Sequence, residues 1–192
     1  MDSTDDPRLL YQRALDQLEK LFPVVTAELL ASPTPCSEYD LRALLGHTVG
    51  GIHRIAYVGE GGRAEEVPSS AEGIEDAEWA DALMLARARF TAAWADDSAL
   101  DRIAVVPWDE LPGRAALDGY MVEATAHSWD IAQVVAPGIA LDEGLARAAL
   151  PLARRFAPGE RRGGKAPFGP VQAVPPGAGA YTRLAAWLGR RT

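Results

Sequence analysis

Residues 112–136 read PGRAALDGYMVEATAHSWDIAQVVA. Ala116, Tyr120, Glu123, His127, Ile131 and Val134 recur near the 3.6-residue helical period. Pro112 suits a helix start, and Pro137-Gly138 suits a stop. The stretch therefore predicts one long helix. Its inward face carries a carboxylate and an imidazole midway along an otherwise apolar seam. An unpaired charge in a helical core is costly, so this pair needs a partner.

Three further segments show the same period. Residues 6–31 place Leu9, Leu10, Ala14, Leu18, Leu21 and Val25 on one face, with Asp5 or Asp6 as cap. Pro23 inside that pattern should kink the helix or split it. Residues 38–59 follow Ser37, a good N-cap, and present Leu41, Leu44, Leu45, Thr48, Ile52 and Ile55. Residues 75–96 repeat Trp79, Leu83, Ala86, Phe90 and Trp94. Weaker signals follow. Residues 103–106 are β-prone, Asp142 can cap a helix over 142–157, residues 158–177 are rich in Pro and Gly, and 179–190 read as a short helix. Irregular or β structure is expected at 168–174. Four long helices with loops of about fifteen residues predict an all-α protein, an antiparallel four-helix bundle over residues 1–137. Residues 138–192 form a short helical appendage packed on it, within the same domain.

The 192 residues carry a formal net charge of −8, with 48% hydrophobic and 24% charged residues. That length supports a sizeable core. The acidic balance argues against a nucleic-acid binder, which needs a basic face. No stretch approaches the roughly 18 apolar residues of a membrane span, and the acidic start MDSTDDPR lacks the apolar run of a secretory signal. A cytoplasmic location is expected. One cysteine, Cys36, permits no internal disulfide. Charge is uneven: residues 1–101 sum to −11 and 102–192 to +3. Packing of the two parts against each other explains this most simply.

Glu123 and His127 stand four apart, about 40° in azimuth and about 6 Å in rise on a helix. Both can point at one ion, or simply hydrogen-bond each other. His47 lies mid-helix among core positions of the second segment. If the two helices pack side by side, His47 completes a His/Glu/His set of the kind that holds a divalent ion with positions left open. Gly46, Gly50 and Gly51 interrupt that helix, each at about 1 kcal/mol. Gly50 and Gly51, one turn after His47, and Gly119, one turn before Glu123, leave room for a ligand or allow close helix packing. Asp130 can orient a histidine or pair with an arginine. Arg54, two turns after His47, is a candidate anchor for a substrate carboxylate. His53 sits about 120° away and is read as surface or interhelical. Cys36 and Trp129 are read as structural. Arg154, Arg155, Arg161, Arg162 and Lys165 are read as a solvated or docking surface.

These residues carry a resemblance. Residues 34–40 (TPCSEYD), 44–47 (LLGH) and 123–130 (EATAHSWD), with the later PFG at 167–169 and YTRLAAWL at 181–188, resemble the DinB-like superfamily. The likeness is to a short actinobacterial branch related to the metal-binding N-terminal domain of mycothiol-dependent maleylpyruvate isomerase. It implies a bundle holding a divalent metal, zinc first and nickel or another ion next, through His47, Glu123 and His127. It also implies a homodimer. The expected activity is a transferase or isomerase that uses mycothiol or another low-molecular-weight thiol with a small electrophile. The alternative is a metal-binding or interaction module without turnover. The 55 residues after the bundle are too few for that isomerase's larger C-terminal domain, so maleylpyruvate is not carried over as substrate. A zinc hydrolase is disfavoured, because no HExxH pattern supplies a base.

Overall fold

The computed structural model describes residues 6–159 and 168–192. The described chain is mostly helical, with one two-stranded sheet. Helix α1 spans Pro7–Leu21 and is capped by Asp6, whose carboxylate accepts from the Arg8 amide at 2.9 Å. It buries Tyr11, Ala14, Leu15, Leu18 and Leu21. Pro23 splits the expected 6–31 helix: α1 stops at Leu21, and the chain continues as single 3₁₀ turns at Phe22–Val24 and Ala27–Leu29.

Helix α2 spans Leu41–Gly59 and starts later than expected. Its cap is Asp40, which accepts from the Ala43 amide at 2.8 Å, and not Ser37. The reason lies in Thr34. Its hydroxyl donates to the carbonyls of Cys36 at 2.9 Å and Tyr39 at 2.8 Å, which folds 34–39 into a local turn. Such side-chain bonds compete with helix for the same backbone.

Helix α3, Trp79–Ala93, is shorter than the predicted 75–96 and buries Trp79, Leu83, Ala86 and Phe90. A four-residue helix α4, Ser98–Asp101, leads into strands β1, Ile103–Val106, and β2, Asp109–Pro112. The strands pair antiparallel, from Ile103 opposite Pro112 to Val106 opposite Asp109. The β-prone run was legible; its partner Asp-Glu-Leu-Pro carries no alternation that announces a strand. Helix α5 then spans Gly113–Val135, α6 Glu143–Phe156 and α7 Ala180–Trp187. Residues 168–174 are irregular, without a strand.

Helix α5 is the centre of the packing. Helices α1, α2 and α6 lie against it, α3 lies on α2, and α7 lies on α6 and α5. Gln17, buried on α1, ties these parts. It donates to Ser128 Oγ at 2.5 Å and Tyr181 Oη at 2.7 Å, and accepts from the Asp142 amide at 2.7 Å. Of the basic residues, Arg154 lies over the Trp187 ring and Arg155 pairs with Asp118 at 3.5 Å. Both remain exposed while making these contacts. Arg161, Arg162 and Lys165 lie outside the described residues. No described helix is long and apolar enough to cross a membrane.

Candidate metal centre

Helix α5 supplies Glu123 and His127, and α2 supplies His47. The structure brings the three together: one ligand atom from each lies within 4.8 Å of the others. His47 Nε2 stands 2.9 Å from Glu123 Oε1. The two imidazole rings meet edge to face, 5.2 Å between centroids. Side-chain exposure is 18% for His47, 34% for Glu123 and 8% for His127, so the cluster is sheltered and opens on the Glu123 side.

Each histidine is fixed through its other nitrogen. His47 Nδ1 faces the Ser69 carbonyl at 3.2 Å, and the ring stacks on Tyr39 at 5.0 Å. A carbonyl oxygen only accepts, so Nδ1 carries the proton and Nε2 is the nitrogen turned to the cluster. His127 Nδ1 lies 3.1 Å from Asp130 Oδ2. Asp130, fully buried, also accepts from Arg190 Nη2 at 3.0 Å. Asp130 thus contacts both the His127 ring and the Arg190 guanidinium. Burial would push its carboxyl up, but the His127 bond and the Arg190 charge outweigh that and hold it below the usual carboxylate range.

The glycines divide by function. A Cβ on Gly46 would lie 2.8 Å from the Ala71 carbonyl oxygen, and one on Gly50 2.7 Å from Ser69 and Ser70 backbone. These two residues let the 67–71 segment cross directly over α2, where the Ala71 amide donates to the Gly46 carbonyl at 2.9 Å. The crossing places the Ser69 carbonyl on His47. A Cβ on Gly119 would sit 2.6 Å from the Trp108 ring, so that glycine seats the β1–β2 hairpin. Room for a ligand is thus the wrong reading for Gly50 and Gly119. It stands for Gly51, where a Cβ would meet nothing within 4 Å.

Gly51 lines a narrow cleft with the three cluster residues, Tyr11 and Tyr120. The cleft has room for roughly one water-sized body. The Tyr120 hydroxyl is buried there and has no hydrogen-bond partner among the described residues. Burial and the Glu123 charge push its phenol up, so it is a donor near neutral pH. Arg54 donates from Nε to the Val67 carbonyl at 2.9 Å, and its charge acts on both Glu123 and Tyr120.

Two residues fall differently from the expectations. Cys36 has a ligand atom within 4.8 Å of those of His127 and Asp130, a second possible donor set. No spacing signal links residue 36 to 127, so the sequence could not reveal it. Burial pushes this thiol up, and Arg190 already occupies Asp130, so the set is poorly suited to a cation. His53 lies away from the cluster, near Arg89 of α3 and Glu60, and burial lowers its pKa.

Both nitrogens of His47 face acceptors, which favours the doubly protonated ring while no ion is bound. Burial pulls its pKa down, yet the Glu123 hydrogen bond and charge raise it above the ordinary 6.5. Burial pulls Glu123 up, and His47 more than offsets this, so Glu123 falls below its ordinary 4.5. The pair's contribution to stability is therefore complete between pH 4.5 and 6.5. It fades as pH rises through the His47 value or falls through the Glu123 value. An ion must displace the Nε2 proton. Apparent zinc affinity is expected to rise about tenfold per pH unit below the His47 pKa, then level off. A competition titration between pH 5.5 and 8.5 checks this, and a flat profile contradicts it.

The fold, and two histidines with a carboxylate on facing helices, define a class: a helical domain able to hold a divalent cation. Residues 11–132 match the family described as the mycothiol maleylpyruvate isomerase N-terminal domain, and the chain belongs to it. Uncharacterized proteins from two strains of Mycobacterium tuberculosis are each 31% identical to it over 185 residues, 96% of this chain and 98% of theirs. No solved structure matches it significantly.

Proposed function

We propose that the chain is a DinB-like antiparallel four-helix bundle that binds zinc, or a like divalent ion, through His47 Nε2, the Glu123 carboxylate and His127 Nε2. One observation carries this reading. Both histidines offer Nδ1 to an acceptor, the Ser69 carbonyl and the Asp130 carboxylate, which is the support that metal-ligating imidazoles take. Two imidazoles and one carboxylate suit zinc and leave coordination positions for water or substrate.

The activity we infer is a thiol-dependent transferase or isomerase, with mycothiol as the low-molecular-weight thiol and a small electrophile as second substrate. When bound, a divalent ion supplies a Lewis acid that favours the thiolate over the thiol near neutral pH. The chain's own residues do the rest. Tyr39 and Ser69 hold the His47 ring, and Asp130 holds that of His127. Gly51 leaves one wall of the cleft open. The Tyr120 hydroxyl is available to donate to an incoming ligand, and Arg54 to anchor a carboxylate. Among the described residues no second carboxylate lines the cleft as a base for water, which favours a substrate that brings its own nucleophile. We place the protein in the cytoplasm as a homodimer. The narrow cleft favours one rival, a metal-binding module without turnover.

Anaerobic purification with metal analysis, then titration with a small thiol, tests the reading. We expect one ion per chain and a thiol-dependent change in its spectrum. His47→Ala should remove the ion, and Cys36→Ser should retain both ion and thiol response. Metal retained in His47→Ala but lost in Cys36→Ser would move the site to the Cys36, His127 and Asp130 set. An ion that binds without any thiol response would favour the module.

A further inference from the structure

Arg190 stands in the last three residues of the chain, yet it is 6% exposed. Its position follows from the end of α7. Gly189 adopts φ +87°, the left-handed conformation that glycine accepts without strain. The Gly189 amide donates to the Ala186 carbonyl at 3.1 Å, and the Arg190 amide to the Ala185 carbonyl at 2.9 Å. This pair of bonds is the Schellman ending, and it reverses the chain. The reversal carries Arg190 back onto α5. Close packing fixes the turn further, since a Cβ on Gly189 would lie 2.8 Å from Gly169 backbone.

There the guanidinium takes both oxygens of Asp130: Nε to Oδ1 at 3.3 Å and Nη2 to Oδ2 at 3.0 Å. A third bond, from Nη1 to the Leu188 carbonyl at 3.0 Å, steadies the fork. Oδ2 is also the atom that receives His127 Nδ1 at 3.1 Å. The Asp130 carboxylate therefore cannot turn without breaking its bonds to Arg190. A planar fork on a carboxylate sets direction as well as charge, which a lysine cannot reproduce.

We propose that Arg190 is a positioning residue of the metal centre. It acts through Asp130 to hold His127 with Nε2 toward the ion, so the C-terminal arm is a working part of the site. This rests on the metal reading above. Outer hydrogen-bond partners of ligating histidines typically change metal affinity about 10–100-fold when removed.

The test is cobalt(II) binding to the full chain, read by its visible absorption spectrum and by competition with a chelator. Arg190→Ala should weaken binding about tenfold or more and shift the spectrum, because the His127 ring is less constrained. Arg190→Lys should recover part of the affinity. In an Asp130→Ala background, Arg190→Ala should cost little further, since its route to the ion is already cut. Thermal unfolding of each variant without metal shows whether the helices persist, and the Lys variant and the double variant carry the test if Arg190→Ala does not fold. Wild-type affinity and spectrum in Arg190→Ala would overturn the proposal while leaving the metal site standing. So would an equal loss in both backgrounds, which marks a merely structural anchor. Absence of cobalt binding by the wild type would overturn the metal reading itself.

Discussion

If the chain holds zinc as proposed, His127→Ala is expected to lose zinc binding and, with it, the thermal stabilisation that zinc should give the wild-type chain. The residue stands where three supports meet: it is 8% exposed, held by Asp130 on one nitrogen and faced by His47 and Glu123 across the cleft. Removing a ligand should exceed the roughly 10–100-fold cost of removing an outer partner. A ligand present at 100 times its dissociation constant stabilises the folded state by about 2.7 kcal/mol. For a chain of 150–250 residues each kcal/mol moves the unfolding midpoint by about 2–4 °C. Zinc should therefore raise the wild-type midpoint by roughly 5–10 °C and leave that of His127→Ala nearly unchanged. The variant should still fold, because Asp130 keeps its Arg190 partner and does not become a lone buried charge. A zinc-dependent rise of equal size in the variant would remove His127 from the ligand set.

Legibility followed the range of the physics involved. The Glu123–His127 spacing is local, set by helix geometry, and so it could be read directly. His47 is remote in sequence but announced itself as a polar residue on an apolar face. Arg190, Ser69 and Cys36 gave no such signal, since their places depend on a glycine turn, a loop crossing and a local Thr34 turn. The start of α2 at Leu41 differs from the expected one for the same reason. Ser37 and Asp40 are both good caps, and only the Thr34 hydrogen bonds decide between them. Helix interiors were set by periodicity, which many residues share. Helix ends were set by one or two bonds each.

Adjacent glycines give the sharpest contrast. By helix propensity alone, replacing either Gly50 or Gly51 with alanine should stabilise α2 by about 1 kcal/mol. At Gly51 nothing opposes this, for a Cβ there meets no atom within 4 Å. Gly51→Ala should gain about 0.5–1 kcal/mol in denaturant unfolding. At Gly50 a Cβ would stand 2.7 Å from the Ser69 carbonyl oxygen and the Ser70 Cα, which are backbone and cannot swing aside. Overpacking of this kind costs about 1–3 kcal/mol, so the clash outweighs propensity and the net change is a loss. The same displacement pulls the Ser69 carbonyl from His47 Nδ1, so zinc affinity should fall in Gly50→Ala. In Gly51→Ala the zinc affinity should hold, while a thiol is admitted less well to the narrowed cleft. Equal stability changes in the two variants would mean that the 67–71 segment does not rest on α2 as described.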